Sequence, residues 1–211
     1  MQKTAIIGNG SIDDYSWLKG ELVKYTTIIA ADGGANHLHR IGMRPDVLVG
    51  DLDSIEVAVD PDTVIFSYPV DKDASDMDLS IQYALSMSPA PIDIFGALGG
   101  RADHHFCNIM VLANYDAVIT IKTENASIRC VHESAAAQIH REGSGVNTVT
   151  IMPLDLTATV TTRGLAFSLH HDVLERGSKG LSNRMIEDTA SVHAGSGTVI
   201  LFHTWQVPET V

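Results

Sequence analysis

VLVGDLDSI, residues 47–55, carries two instructions in nine residues. A continuous apolar run ends at Gly50, and Asp51 and Asp53 follow with one residue between them. A short apolar, β-branched run of this kind reads as a strand buried on both faces of a parallel sheet. Carboxylates at alternate positions of an extended segment point the same way. At that spacing they repel, so a positive partner belongs beside them.

Working outward, the same texture recurs at TAIIG (4–8), TTIIAA (26–31), DVLVG (46–50), TVIFSY (63–68), IDIFGA (92–97) and DAVITI (116–121). Amphipathic stretches separate these runs, at about 14–24, 35–41 with Gly42 as C-cap, 76–87 with Ser75 as N-cap, and 103–114. That alternation predicts an α/β domain over residues 1–123, a Rossmann-like parallel sheet with flanking helices. After Thr123 the runs SIRCVHE, AAQIHRE, NTVTIMPL, ATVTTRGL and TVILFHTW alternate or are β-branched, with no helix-length pattern between them. Residues 124–211 therefore read as all-β, a small antiparallel sandwich. SPAPID (88–93) reads as a loop, and no internal repeat is visible.

The 211 residues are 45% apolar, with a formal net charge of −12 and a pI near 5.1. An acidic surface argues against nucleic acid or an anionic membrane as partner. It leaves room for a small phosphorylated ligand bridged by a metal ion. The two cysteines, Cys107 and Cys130, have no metal-binding spacing and read as reduced, buried thiols. MQKTAIIGNG reads as a strand entering a glycine turn rather than a signal peptide, and no apolar run reaches the ~18 residues of a spanning helix. The expectation is a cytoplasmic protein.

The unusual polar motifs all follow strands: DGGAN (32–36), DLDSI (51–55), PVDKDASDMD (69–78) and LGGRADHHFCN (98–108). In an open α/β sheet they would share the carboxyl edge, where ligands bind. Each has a plainer reading. DGG suits a turn, DLDS a solvated loop, and GGRADHH a strand–helix junction with a surface arginine. Asp71, Asp73, Asp76 and Asp78 can serve as helix N-terminal acids, the better reading for Asp78 and an open alternative for Asp76. Together the four motifs point to Mg²⁺ and a polyphosphate. Hard carboxylate oxygens suit the metal, and Gly10, Gly33, Gly34, Gly99 and Gly100 allow backbone amides to face phosphates. There is no GxxxxGK[ST], and GNGSI (8–12) is only a fragment of GxGxxG, which disfavours nicotinamide binding. The histidine pairs 37/39, 104/105 and 170/171 give no zinc spacing. They read as surface or packing residues, except His104 within GGRADH.

At these residues the sequence resembles the thiamin pyrophosphokinases. The matching runs are ADGGAN (31–36), GDLDS (50–54), DKDASDMDLS (71–80), GALGGRADH (96–104) with Asn108, and RGLAFSLHHDVLERGSKGLSN (163–183). The resemblance implies transfer of a pyrophosphoryl group from ATP to the hydroxyethyl oxygen of thiamin, giving thiamin diphosphate and AMP. It implies an α/β nucleotide-binding domain followed by a β-sandwich, in homodimers with sites at the subunit interface. Asp51, Asp53 and Asp76, with Asp32 nearby, fall on the family's Mg²⁺ and catalytic set, and Lys72 on a lysine of bacterial members. Gly33, Gly34, Asn36, Ser75, Arg101, Asp103, His104 and Asn108 fall on the ATP side. Ser182 and Asn183 fall on residues that meet thiamin. Ala102 departs from a larger family residue, Ser75 stands where threonine is common, and Trp205 does not register with the family's thiamin-stacking aromatic. The competing readings are a pyrophosphokinase for another hydroxyalkyl heterocycle such as a pterin, and a non-catalytic nucleotide or thiamin diphosphate sensor.

Overall fold

Six short strands pair in parallel: β1 (Thr4–Ile7), β2 (Thr27–Ala31), β3 (Val47–Gly50), β4 (Val64–Ser67), β5 (Ile92–Phe95) and β6 (Ile119–Lys122). Their order is β6-β5-β1-β2-β3-β4. The computed structural model describes residues 3–87 and 91–206. The chain divides into two compact units, Met1–Glu124 and Asn125–Val211.

In the first unit, β1, β2 and β3 are buried almost throughout, as continuous apolar runs require. They pack with α1 (Tyr15–Leu22) and α2 (Gly34–Arg40) through Ala5, Ile7, Leu18, Leu22, Ile28, Ala30, Leu38, Leu48 and Phe95. Asp14 starts α1, its Oδ1 accepting from the amides of Ser16 and Trp17 at 2.8 and 2.9 Å. Past the end of α2, Gly42 lies at φ +68° and its N–H donates to the His39 carbonyl at 3.0 Å. Ser75 accepts from the Asp78 amide at 3.2 Å and so caps α3 (Asp76–Met87). α4 (Ala102–Val111) then passes into a 3-10 turn, Leu112–Asn114, instead of continuing as one helix.

β4 departs from the expectation of a buried strand. It lies at the sheet edge, and Val64, Ile65 and Phe66 are exposed. Its apolar run reflects β propensity rather than two covered faces. In the 88–93 loop, residues 88–90 fall outside the described residues, and β5 already begins at Ile92. Cys107 is exposed on α4, contrary to the buried-thiol reading. Cys130 is half-buried, and desolvation pushes its thiol up to about 12.

The second unit holds two four-stranded antiparallel arrays. One has the order β12 (Asn183–Arg184), β9 (Asn147–Pro153), β14 (Val199–Trp205), β7 (Ala126–Val131). The other runs β11 (Asp172–Glu175), β10 (Thr157–Arg163), β13 (Thr189–Ser196), β8 (Ala136–His140). Alternate residues of both, such as Val149, Ile151, Val160, Val192 and Leu201, form one buried cluster. Among the described residues, no helix is long and apolar enough to cross a membrane.

Candidate active site

The strand order of the first unit reverses direction at β1, with β2 on one side and β5 on the other. The loops beyond the carboxyl ends of such neighbours leave a crevice. Here they are laced together. The N–H groups of Gly8, Gly10 and Ser11 donate to the carbonyls of Phe95, Gly96 and Leu98 at 2.8, 2.7 and 2.8 Å. Gly10 has to be glycine, because a Cβ there would lie 2.1 Å from the Leu98 oxygen.

Asp32 closes β2. It is buried, sits at φ +45°, and donates its N–H to the Val49 carbonyl at 2.8 Å. Its Oδ1 is buried and has no hydrogen-bond partner among the described residues. Asp51 and Asp53 follow β3, and one oxygen from each of Asp32, Asp51 and Asp53 lies within 4.8 Å of the others. Gly50 makes this approach possible. At φ +152°, a Cβ would stand 2.9 Å from Asp32 Cβ and 3.1 Å from Asp76 Oδ1.

Lys72 supplies the positive partner that the sequence demands. Its Nζ lies 3.0 Å from Asp51 Oδ2 and 3.1 Å from Asp76 Oδ1. The Asp51 contact is a hydrogen bond, whereas the Asp76 contact is an ion pair that leaves Oδ1 without a directed donor. Hydrogen bonds from Lys72 and from the Asp53 amide hold Asp51 below the usual carboxylate range. Burial pushes Asp76 up; Lys72 opposes that, and the charges of Asp51 and Asp32 add to it. Burial pulls Lys72 down, but the two aspartates outweigh it and the ammonium stays above its ordinary value. One ammonium thus faces the carboxylate cluster of Asp32, Asp51, Asp53 and Asp76. The unpaired buried Asp32 oxygen and the all-oxygen donor set fit Mg²⁺.

Several expected ligand residues are committed to the scaffold. Asn36 donates to the Ser54 carbonyl and accepts from the Glu56 amide, both at 2.9 Å, and so pins the loop carrying Asp51 and Asp53. Asn108 donates to the Ala97 carbonyl at 2.8 Å. Ser75 spends its hydroxyl on the α3 cap. Gly33 and Gly34 open α2, directly after Asp32. Arg101, exposed before α4, makes a two-point contact with Asp103 at 2.7 and 3.2 Å that draws the Asp103 carboxyl down to about 2. His104 is exposed beside them and donates its amide to Asp103.

In the second unit, Ser182 takes a left-handed φ of +55° and donates its N–H to Thr150 Oγ1 at 2.9 Å. The Asn183 amide bonds both polar groups of the Phe167 backbone, accepting from N–H at 3.0 Å and donating to C=O at 2.6 Å. Phe167 is an aromatic that the sequence motifs did not single out, and it is 75% exposed. Its one signal is its place inside RGLAFSL, within the run shared with the resembled family.

Two family models match the chain: thiamin pyrophosphokinase, catalytic domain, over residues 18–128, and thiamin pyrophosphokinase, vitamin B1 binding domain, over residues 137–199. A thiamine pyrophosphokinase of Bacillus subtilis is 32% identical over 151 residues, covering 68% of this chain and 66% of that protein. Thiamine pyrophosphokinase 1 of Arabidopsis thaliana is 28% identical, covering 90% of this chain and 82% of that protein. Among solved structures, the thiamine pyrophosphokinase of B. subtilis superposes with a TM-score of 0.84 at 23% identity, over 98% of this chain and 100% of that one. The thiamin pyrophosphokinase of Candida albicans gives 0.78 at 20%, over 97% and 89%. These two structural likenesses carry the fold, and the family matches carry the assignment: the chain belongs to the thiamin pyrophosphokinase family.

Proposed function

We propose that this chain transfers the pyrophosphoryl group of ATP to the hydroxyethyl oxygen of thiamin, giving thiamin diphosphate and AMP. The observation that carries the reading is the convergence of Asp32, Asp51, Asp53, Asp76 and Lys72 at the strand ends of a chain of this family. In the reaction a bond forms between the thiamin oxygen and the β-phosphorus, the bridge from the β-phosphorus to the α-phosphate oxygen breaks, and AMP leaves. Such transfers need in-line positioning and charge stabilisation more than covalent chemistry.

Asp32, Asp51 and Asp53 would hold Mg²⁺, which would supply positive charge to offset that of the transferring phosphates. Asp76 is the candidate to accept the hydroxyl proton, since burial makes its carboxylate more basic. Lys72 holds Asp51 and Asp76 in place and faces the transferring group with positive charge. Amides at Gly33 and Gly34, with Arg101, Asp103 and His104, form the ATP side. Asn36, Asn108 and Ser75 act there by fixing loops and the α3 start.

Thiamin belongs to the second unit, with Ser182 and Asn183, and the Phe167 ring offers a flat face for a heterocycle. On this reading residues 1–124 form a Rossmann-like catalytic domain and 125–211 a thiamin-binding sandwich. The active protein is a cytoplasmic homodimer with its sites at the subunit interface.

The test is to incubate the purified protein with Mg·ATP and thiamin and separate the products by chromatography. Thiamin diphosphate with stoichiometric AMP is expected. ADP with thiamin monophosphate would replace the reading with ordinary kinase transfer, and no product from thiamin would overturn it.

A further inference from the structure

We propose that His37 is a positioning residue that clamps the Gly10–Ser11 peptide plane and so sets the nucleotide-side loop. The inference rests on the functional reading above only in naming ATP as what the loop meets. The histidine pair at 37 and 39 otherwise has no role in the site.

The geometry fixes the donors. His37 Nε2 lies 2.8 Å from the Gly10 carbonyl oxygen, which can only accept, so Nε2 carries the proton. Nδ1 is then bare and accepts the Tyr15 hydroxyl at 2.7 Å. Arg40 braces the arrangement from α2, its guanidinium carbon 4.1 Å from the centre of the Tyr15 ring. Both rings are half-buried. Burial, opposed by the Gly10 bond and aided by Arg40, lowers the His37 pKa, in keeping with a neutral ring that has one donor and one acceptor nitrogen.

The carbonyl of Gly10 and the amide of Ser11 belong to one peptide unit. His37 holds its oxygen at 2.8 Å, and the Leu98 carbonyl holds its N–H at 2.8 Å. The plane is thus gripped from both ends, between α2 and the loop after β5. Without His37 it keeps only one grip and can rock about the Leu98 bond. The same helix begins with Gly34, just after Gly33, so His37 ties that helix start to the loops after β1 and β5, the three glycine-bearing edges of the crevice.

Two substitutions separate the clamp from mere packing between α1 and α2. Glutamine can bring its amide nitrogen close to the Nε2 position and keep the Gly10 bond. Asparagine places its oxygen near the Nδ1 position, keeps the Tyr15 bond and loses Gly10. His37→Asn is expected to speed hydrogen exchange at the Ser11 amide by about 10-fold and to weaken Mg·ATP binding, read by calorimetry, by about 3–10-fold, the range of one net hydrogen bond. His37→Gln is expected to stay within about 2-fold of wild type on both, and thiamin binding to be unmoved in either. Equal effects from the two variants, or a lowered Tm with wild-type Ser11 exchange and ATP affinity, would overturn the clamp. If His37→Asn does not fold, Tyr15→Phe replaces it. Loss of the hydroxyl removes the ring's second anchor and lets it turn away from Gly10, and ATP binding is expected to weaken by about 2–5-fold; wild-type affinity there overturns the clamp. Wild-type protein that binds no Mg·ATP would instead overturn the nucleotide reading, a result distinct from unaltered Ser11 exchange in His37→Asn.

Discussion

Replacing Gly50 by alanine adds one methyl group at the point where β3 ends and the carboxylates meet. The backbone there sits at φ +152°, a conformation that side chains rarely adopt and one that costs about 1–3 kcal/mol for a residue with a Cβ. The methyl would also lie 2.9 Å from Asp32 Cβ and 3.1 Å from Asp76 Oδ1, so neighbours must move by about 0.5 Å to reach ordinary contact. Both are groups that the proposed chemistry needs in place. Displacements of that order are expected to lower kcat by about 10–100-fold. The backbone term predicts a Tm lower by about 4–8 °C, leaving a folded protein at 25 °C. Gly42→Ala is the control. Gly42 is also at positive φ, +68°, but beyond its two chain neighbours no atom of the described residues lies within 4 Å of its added Cβ. It should lose a comparable Tm and keep its kcat. AMP release under saturating substrates measures the first quantity and calorimetric melting the second. Full activity in Gly50→Ala, or equal activity losses in both variants, would refute the claim that this glycine exists to let Asp32 and Asp76 approach.

Asp53→Asn is expected to lower turnover by about 100-fold or more with little change in Tm, because the side chain is exposed and accepts a 2.9 Å bond from the neighbouring Ser54 hydroxyl; near-normal turnover would remove Asp53 from the metal set. Asn183→Ala should raise the thiamin KM by about 10-fold and the ATP KM by less than about 2-fold, since the lost bonds hold the Phe167 backbone; equal rises would misplace the thiamin site. The second unit should lose stability in mild acid. Burial, then Arg129 and Arg141, pull His203 down to about 4, against about 6.5 in an unfolded chain. Between those values the unfolded state holds a proton that the folded state refuses, so up to about 3 kcal/mol present above pH 6.5 fades as pH falls toward 4. A Tm measured from pH 7.5 to 5 should fall less steeply in His203→Gln than in wild type, and parallel slopes would dismiss His203 as the cause.

The legible parts of this molecule are those whose cause is local. β1, β2 and β3 announce themselves because burial on both faces demands unbroken apolar runs. The acidic cluster is legible because its carboxylates follow strands, and strand direction alone gathers them at one edge. β13 escapes a sequence reading because its buried positions include Ala190 and Ala194, whose small side chains give a weak alternation. The exposure of β4 is illegible because edge position belongs to strand order, not to composition. Asn36, Ser75 and Asn108 lie within the motifs, yet their side chains hold Ser54, Asp78 and Ala97 instead of pointing free. Which polar groups a side chain meets across 11 or 18 residues is set only by the finished fold. Phe167 carries no period and no charge, so in the sequence only its place inside RGLAFSL marks it, and its 75% exposure emerges with the fold.

Asp51 and Asp32, two members of the carboxylate cluster, have unequal answers to the repulsion within it. Asp51 is satisfied within the protein, one oxygen on Lys72 and the other on the Asp53 amide. Asp32, close enough to share a cation with both, keeps a buried oxygen that no described residue of the first unit meets. An unmet buried acceptor costs about 1–3 kcal/mol, and more if it is charged. A fold built for stability alone would remove it, most simply by replacing Asp32 with an apolar residue of similar volume. Instead the backbone takes φ +45° at Asp32, and a glycine at position 50 leaves room beside its side chain. Two local departures from favourable geometry thus serve one unsatisfied carboxylate. That combination has a physical rationale if a cation and the phosphates it carries complete the site. The lysine then plays a separate part: it neutralises Asp51 and Asp76 from the side, so that the Asp32 oxygen is left to the cation.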